Sequence, residues 1–251
     1  MNQSCLFLIA CVILAIPTNA LRGEERGFAL SSATTQAVLG IAEGWDSSAV
    51  TLQRFERRPG GSWGPAGAPC RGRLGAQGLV WGRGLHPTPS SVQLKKEGDK
   101  RAPAGVFGIG GACGYEGSIP RHPSLSYFQV TPSDLWIEDP ASPNYNRHIR
   151  LTGLPRDQWE QKQQMKQRDP AHALKLFILH NAPPHAVPGA GSSIFFHIWR
   201  GGGTKATSGC TTMPEPVLRE MIRWLNPQRF PVYILLPRNE YRQRREAWGL
   251  P

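Results

Sequence analysis

The chain has 251 residues, 39% of them hydrophobic, which is typical of one globular domain or at most two small ones. Its 28 glycines and 23 prolines favour short strands and turns and argue against a fold of long helices. The net charge of +11 favours an anionic partner such as nucleic acid, a wall polymer or a lipid surface, or it belongs to a basic surface without a specific partner.

The first twenty residues differ in character from the rest of the chain. Residues 5–16 are an unbroken apolar run, and a short segment of small and polar residues ending at Ala20 follows it. The run resembles the core of a signal peptide and is short for a spanning helix, which needs roughly 20 residues. We therefore expect residues 1–20 to be a cleaved signal peptide or an uncleaved anchor, and residues 21–251 to form a single domain. Export would place this domain in the periplasm or at the cell wall, beside an anionic wall polymer.

Short apolar segments in the first half of the domain predict β-strands. They lie at residues 36–41, 52–55, 78–81 and 104–109. Stretches rich in glycine and proline, such as residues 59–69, predict the turns between them. Residues 95–101 are mostly charged and predict a solvated loop.

The second half combines predicted strands with two predicted helices. Strands are expected at residues 174–179, 194–199 and 232–236. Residues 156–169 predict an exposed helix anchored by Trp159 and Met165, and residues 214–225 carry the apolar stripe of an amphipathic helix. Together the elements predict a mainly β fold, a sandwich-like arrangement of two packed mixed sheets with one or two flanking helices.

His197 and Cys210 form the pair of residues with the clearest chemical potential. His197 lies in the predicted strand 194–199, and Cys210 follows a glycine-bearing loop shortly before the helix 214–225. A thiol attacks as its thiolate, and its pKa falls near a histidine or a helix N-terminus. The pattern therefore indicates Cys210 as nucleophile and His197 as its base, with the amides of Gly209 and Cys210 facing a developing oxyanion.

Other interpretations of these residues remain open. Cys210 could be an inert buried thiol and His197 an ordinary core histidine. A zinc site could use His180, His185, His197 and Cys210, although the sequence has no CxxC or HxxxH pattern to support it. Nucleic-acid binding would rest on charge alone, because no helix-turn-helix, zinc-finger or RNP-like pattern is present, and no nucleic-acid partner is expected.

The remaining cysteines outside the first twenty residues are Cys70 and Cys113. An odd number of cysteines in an exported domain leaves one thiol unpaired. A bridge between Cys70 and Cys113 would leave Cys210 free and contribute about 3–4 kcal/mol in the chain-entropy model. Two independent buried thiols are the alternative.

Two motifs resemble a known family. The segment GSSIFFH at residues 191–197, followed by TSGC at residues 207–210, resembles the signature of the YkuD-type L,D-transpeptidase family. Residues 96–99, residues 103–107 and the block from residue 134 to Asn146 resemble further motifs of one branch of that family. The matching segments run from about Gln36 to Pro237, and the Cys/His block is the most specific of them.

The resemblance implies an acyl transfer on peptidoglycan stem peptides. Cys210 would attack the amide after the L-centre of diaminopimelate, release D-alanine and form a thioester, which an amine of another stem then resolves. No metal or organic cofactor is needed, and we expect a monomer. With water as the acceptor the enzyme would be an L,D-carboxypeptidase, and a wall-binding module without catalysis is an alternative from another class.

The chain departs from the family pattern around the nucleophile. Many members carry an arginine two residues after the cysteine, where it meets a substrate carboxylate, and this chain has Thr212. Ser208 stands where some members have histidine, and Ile198 where many have glycine or serine. We therefore expect Ser208, Thr212 and the nearby Arg200 to be the candidate substrate contacts.

Overall fold

Residues 27–251 are described by the computed structural model; residues 1–26, and with them the predicted signal peptide or anchor, lie outside the described part. The strands are β1 (Gln36–Ala42), β2 (Ala49–Glu56), β3 (Gly64–Pro65), β4 (Cys70–Arg73), β5 (Leu79–Trp81), β6 (Ala102–Gly114), β7 (Tyr127–Gln129), β8 (Asp134–Trp136), β9 (His148–Arg150), β10 (Leu174–Ile178), β11 (Phe195–Ile198), β12 (Thr211–Met213) and β13 (Val232–Pro237). The helices are α1 (Gln158–Gln163), α2 (Glu215–Trp224) and α3 (Arg238–Arg244), with 3-10 turns at Pro170–His172, Gly201–Gly203 and Pro227–Arg229. Each predicted strand coincides with an observed one.

One mixed sheet of eleven strands closes on itself. Its closed path runs β1, β13, β6, β10, β11, β12, β4 and β2, and β2 pairs with β1 again. The β1–β13 and β11–β12 pairs are parallel, and the other pairs on this path are antiparallel. The predicted mainly β class is confirmed, but the sandwich is wrong. Because β1 is paired along both edges, the strands form a ring and not two separate stacked sheets.

The two faces of β11 belong to different hydrophobic clusters. Phe196 is part of the main core, which also takes the buried residues Leu218, Met221 and Ile222 of α2. Phe195 points to the opposite face and joins a smaller cluster with Cys113. The alternation follows from the period of two along a strand. The chain therefore places α2 on one side of β11 and leaves the other side for a separate group of residues.

The predicted helix 156–169 is much shorter in the structure. Only Gln158–Gln163 is helical, capped by Asp157, whose side chain accepts from the Glu160 amide. The chain then extends at Gln164, which bridges to β8, and Met165 is buried as expected whereas Trp159 is 38% exposed. None of the helices within residues 27–251 has both the length and the apolar character that crossing a membrane would require.

Cys70 and Cys113 are separate free thiols. Cys70 on β4 packs against the main core, and Cys113 on β6 belongs to the smaller cluster. Their strands are four positions apart in either direction around the eight-strand ring, which is about 12 Å across a round ring built at 4.8 Å per strand. A disulfide needs Cα atoms within about 7 Å. The fold therefore keeps Cys70 and Cys113 as two independent thiols, and they form no disulfide bridge.

Candidate active site

Cys210 and His197 lie on the same face of two parallel strands. β11 pairs with β12 so that Phe196 lies beside Thr211 and His197 beside Thr212. Cys210 is one residue before β12, and the same register brings it beside Phe195. Residues two apart on a strand share a face. Strand pairing thus makes Cys210 and His197 diagonal neighbours, as expected of a nucleophile and its base.

The Cys210 thiol is held at the start of β11. The backbone N–H of Phe195 donates to Sγ at 3.4 Å, and the S–H donates to Ser193 O at 3.4 Å. Burial raises the pKa of the Cys210 thiol, whereas the Phe195 N–H and the charge of Lys175 act to lower it. The raised pKa means that the thiol is protonated at neutral pH. The residue as a whole is nevertheless partly exposed.

The His197 imidazole is buried and neutral. Its Nδ1–H donates to Ile198 O at 2.8 Å, which leaves Nε2 without a proton, and its ring stacks on that of His172 with centroids 4.9 Å apart. Burial lowers the pKa of His197 to about 4; the backbone hydrogen bond to Ile198 acts to raise this pKa, and the charges of Arg200 and Lys175 act to lower it. A neutral imidazole can accept a proton but carries no charge with which to stabilise a thiolate.

The thiol and the imidazole make no hydrogen-bond contact with each other in the resting site. Within residues 27–251 no hydrogen bond joins the imidazole to Cys210 Sγ. The predicted helix contribution is wrong, because β12 separates Cys210 from Glu215, the first residue of α2. The three residues of β12 carry the chain about 10 Å, and a helix dipole acts only over its first turn. Moreover, α2 packs on the opposite face of β11 from the sulfur.

Gly209 shapes the turn before the nucleophile. Its φ of +145° favours glycine, and a Cβ at this position would lie 2.9 Å from Arg101 O. Its N–H donates to Thr207 Oγ1 at 3.0 Å, and that hydroxyl donates to Cys210 O at 2.7 Å. The Gly209 amide is therefore engaged, and the predicted oxyanion contact from it is wrong for this conformation.

The predicted substrate contacts occupy different environments. Ser208 is exposed, but Thr212 is 1% exposed and its Oγ1 has no hydrogen-bond partner within the described chain. Arg200 donates from Nε to Asp169 Oδ2 at 2.7 Å and from Nη2 to His172 Nε2 at 2.8 Å. This contact fixes the imidazole of His172 that stacks on the His197 ring. Arg200 thus holds His172 in place against His197. Contact of Ser208, Thr212 and Arg200 with a substrate stays a prediction.

Lys175 is a site residue that the sequence reading missed. It pairs with His197 across β10 and β11 and is 4% exposed. Its charge acts on both Cys210 and His197. Glu138, which follows β8, is exposed and acts on the Cys210 pKa in the opposite direction. A single lysine inside the apolar segment 174–179 is the signal that could have identified Lys175.

The charged segment 95–101 is tied to the site and is not the solvated loop that its composition predicted. Lys95 is 4% exposed and pairs with Asp99, and its Nζ donates to Lys96 O at 3.2 Å. Glu97 accepts from Ser192 Oγ at 2.9 Å, just before β11. The contact between Glu97 and Ser192 attaches the segment to the residues that lead into β11.

The histidines of the zinc alternative do not converge on Cys210. His180 is fully buried, with its Nδ1 accepting from the Arg83 amide at 3.1 Å and its Nε2 facing Ala190 O at 3.1 Å. Both ring nitrogens are therefore engaged by the backbone. Over residues 27–251 no three histidine, cysteine or acidic side chains are grouped as metal ligands would be.

The chain matches a known protein family. Residues 72–234 match the YkuD family, which is described as the L,D-transpeptidase catalytic domain. The match covers most of the chain and includes both His197 and Cys210. The chain therefore belongs to the YkuD family of L,D-transpeptidase catalytic domains, as the two motifs indicated. A comparison with curated protein sequences gives no match.

Proposed function

We propose that the protein is an L,D-transpeptidase that acts on peptidoglycan stem peptides through a thioester at Cys210. The observation that carries the proposal is the placement of a partly exposed cysteine beside a neutral imidazole on one sheet face. Membership of the YkuD family supports the same reaction class. The proposed site consists of Cys210 as nucleophile and His197 as general base and acid, with Gly209 shaping the turn.

The reaction begins with a proton transfer. The thiol turns from Ser193 O toward the imidazole, and its proton passes to Nε2 of His197, while Nδ1–H stays on Ile198 O. Such contacts often tighten only when substrate is bound. The sulfur then attacks the carbonyl carbon at the L-centre of diaminopimelate, and the carbonyl oxygen takes up the electron pair as an oxyanion.

Acyl transfer completes the cycle. The C–N bond to D-alanine breaks, His197 gives its proton to the leaving amine, and a thioester to Cys210 remains. An amine of a second stem attacks the thioester, and its surplus proton returns through His197 to the sulfur as the C–S bond breaks. The product is a cross-linked peptide, and the enzyme regains its neutral thiol and neutral imidazole.

The charge of the whole chain suits such a substrate. A net charge of +11 attracts a protein to an anionic wall mesh, although screening limits the range of this attraction to about 10 Å in 0.1 M salt. Export by way of residues 1–20, action in the periplasm or at the wall, and a monomeric state belong to the same proposal. Substrate recognition would fall to Ser208, Thr212 and Arg200.

The test is incubation of the purified protein with disaccharide tetrapeptide, followed by intact-protein mass spectrometry and muropeptide analysis. We expect a thioester adduct on Cys210, release of D-alanine and cross-linked dimers, none of which the Cys210→Ser variant should give. Tripeptide without dimers would indicate the L,D-carboxypeptidase. Binding to wall fragments with neither adduct nor product would overturn the proposal in favour of a wall-binding module.

A further inference from the structure

A row of side chains crosses the sheet at the level of His197. Cys113 on β6 pairs with Lys175 on β10, and Lys175 pairs in turn with His197 on β11. Directly paired residues point to the same face, with Cβ atoms about 4.5–5.5 Å apart. Lys175 therefore lies between a buried thiol and the imidazole, on the face that also carries Cys210.

The Lys175 ammonium is buried without a carboxylate partner. The residue is 4% exposed, and the one hydrogen bond it makes within the described chain is from Nζ to Met165 O at 3.5 Å. Nζ also lies 5.5 Å from the ring centroid of Phe195, the residue whose amide holds the Cys210 sulfur. No acidic side chain of residues 27–251 comes within ion-pair distance of Nζ. A buried charge in this state costs free energy, so stability alone does not explain a lysine here.

Cys113, which pairs with Lys175 across β6 and β10, cannot serve as a counter-ion to the Lys175 ammonium. Burial raises the pKa of Cys113 to about 12, so this thiol is neutral at neutral pH. The charge of Lys175 lowers the pKa of Cys210, against the rise that burial causes. A negative Cys210 likewise raises the pKa of Lys175, which burial lowers. Lys175 and Cys210 therefore favour each other's charged forms.

We propose that Lys175 is a positioning residue whose ammonium group stabilises the negative charge that forms on Cys210 Sγ. The inference rests on the proposed role of Cys210 as nucleophile. When the S–H bond breaks, the proton passes to His197 and the electron pair stays on sulfur, while Lys175 keeps its own proton. In the resting site, where the imidazole is neutral, Lys175 supplies more of the positive charge that acts on Cys210 than Lys95 does.

Several charged or titratable groups surround Lys175 and Cys210. They are Cys113 on β6, His197 on β11, Arg200 after β11, Glu138 after β8, Asp169 and His172 at the 3-10 turn Pro170–His172, and, beside Cys210, Lys95 of segment 95–101. Glu138 raises the pKa of Cys210, and Arg200 acts on the two histidines. Removing Lys175 alone should therefore leave Cys210 in a less positive environment.

The experiment measures the rate of Cys210 alkylation by iodoacetamide against pH, with Cys210 followed by peptide mass. In Lys175→Met we expect the midpoint to rise by about one pH unit, so that alkylation at neutral pH is about tenfold slower. The melting temperature should stay level or rise, because the variant removes a buried unpaired charge. Lys175→Arg keeps the charge and should keep the wild-type midpoint. Lys162→Met, at an exposed lysine of α1, is the matched control and should change neither quantity.

A folded Lys175→Met protein whose midpoint stays within about 0.3 units of the wild type would overturn the inference. If that variant does not fold, Lys175→Gln replaces it under the same criterion. If Lys175→Met and Lys175→Gln both fail to fold while Lys175→Arg folds, the positive charge at this position is a structural requirement. That result would also overturn the inference. The assay needs no wall substrate. If the midpoint shifts in Lys175→Met but the wild-type protein forms no tetrapeptide adduct, the proposed function is rejected and the role of Lys175 stands. If the adduct forms and the midpoint does not shift, only the role of Lys175 is rejected.

Discussion

The protonation states of Cys210 and His197 follow from what surrounds each side chain. Burial disfavours the charged form of both groups, so it raises the thiol pKa and lowers that of the imidazole. The sequence pattern predicted a lowered pKa for the Cys210 thiol and the structure raises it, because a linear pattern does not reveal how deeply a side chain is buried. The pattern also could not reveal that the positive charges of Lys175 and Arg200 act to lower the pKa of the His197 imidazole.

A neutral His197 should matter for proton transfer more than for the acidity of the thiol. In His197→Gln we expect acylation of Cys210 by a carbapenem, whose β-lactam is a strained amide, to slow by about 10²–10⁴-fold. The midpoint of iodoacetamide alkylation should move by less than about half a pH unit, since no imidazolium charge is lost. Intact mass and alkylation rates test the two readouts together. Unchanged acylation would remove His197 from the mechanism.

Arg200 should control the titration of the histidine pair. In Arg200→Met the pKa of His197 should rise from about 4 but stay below 6.5, because burial is the larger cause of its depression and remains in place. The pKa of His172, which burial lowers to about 3, should rise as well. Imidazole proton shifts followed by NMR between pH 3 and 8 measure both. A His197 titration identical to the wild type would show that the guanidinium does not act on it.

At the scale of single elements, the turn that ends in Gly209 sets the position of the sulfur. In Gly209→Ala the new Cβ meets Arg101 O at 2.9 Å in a left-handed backbone conformation, so we expect a loss of about 1–3 kcal/mol in the free energy of unfolding. Gly44→Ala, where no atom lies within 4 Å of the new Cβ, is the matched control. Urea denaturation should separate the two variants, and equal losses in both would contradict the strain argument.

Local pattern predicted those elements whose apolar spacing is regular. The stripe that includes Leu218 and Ile222 predicted α2 almost to its ends, and the apolar run around Phe196 predicted β11. The exposed polar segment 156–169 has no such stripe, so its helix was overextended. The burial of Lys95 was beyond local pattern, because it depends on an ion pair and a fold that brings segment 95–101 beside Gly209.

At the scale of the whole molecule, ring closure could not be read from the sequence. It depends on β1 pairing with β2 on one side and with β13, almost two hundred residues away, on the other. Apolar alternation in residues 36–41 predicts a strand but says nothing about which partners it takes. The predicted elements indicated a mainly β fold, and the choice between two stacked sheets and one closed sheet needed the pairing itself.

Three buried histidines and the half-buried His172 should make the whole protein sensitive to acid. Burial lowers the pKa of His86 and His197 to about 4 and of His172 and His180 to about 3. Below pH 6.5 the unfolded chain binds protons at these positions and the folded protein does not, so stability falls as pH falls toward 4. Each histidine contributes a slope of about 1.4 kcal/mol per pH unit in this window.

Urea unfolding at intervals from pH 7 to 5 measures this slope. His86→Phe, which changes a ring between Trp81 and Phe107 far from the reacting sulfur, should reduce the slope by about 1.4 kcal/mol per pH unit. A free energy of unfolding that stays constant from pH 7 to 5 would contradict the buried neutral state of these histidines.

The pairing of β1 with β13 also fixes the order of events in folding. Residues 36–42 emerge from the ribosome early but must wait for residues 232–237 before the ring closes. β6 also lacks its β13 neighbour until then, so the strands that flank the nucleophile are held in an open sheet. Pairings between such distant segments carry a large loop-closure entropy and fold slowly. A nascent chain that has not yet released residues 232–237 therefore has no closed sheet around Cys210, and the reactive thiol is assembled only after that segment has joined the ring.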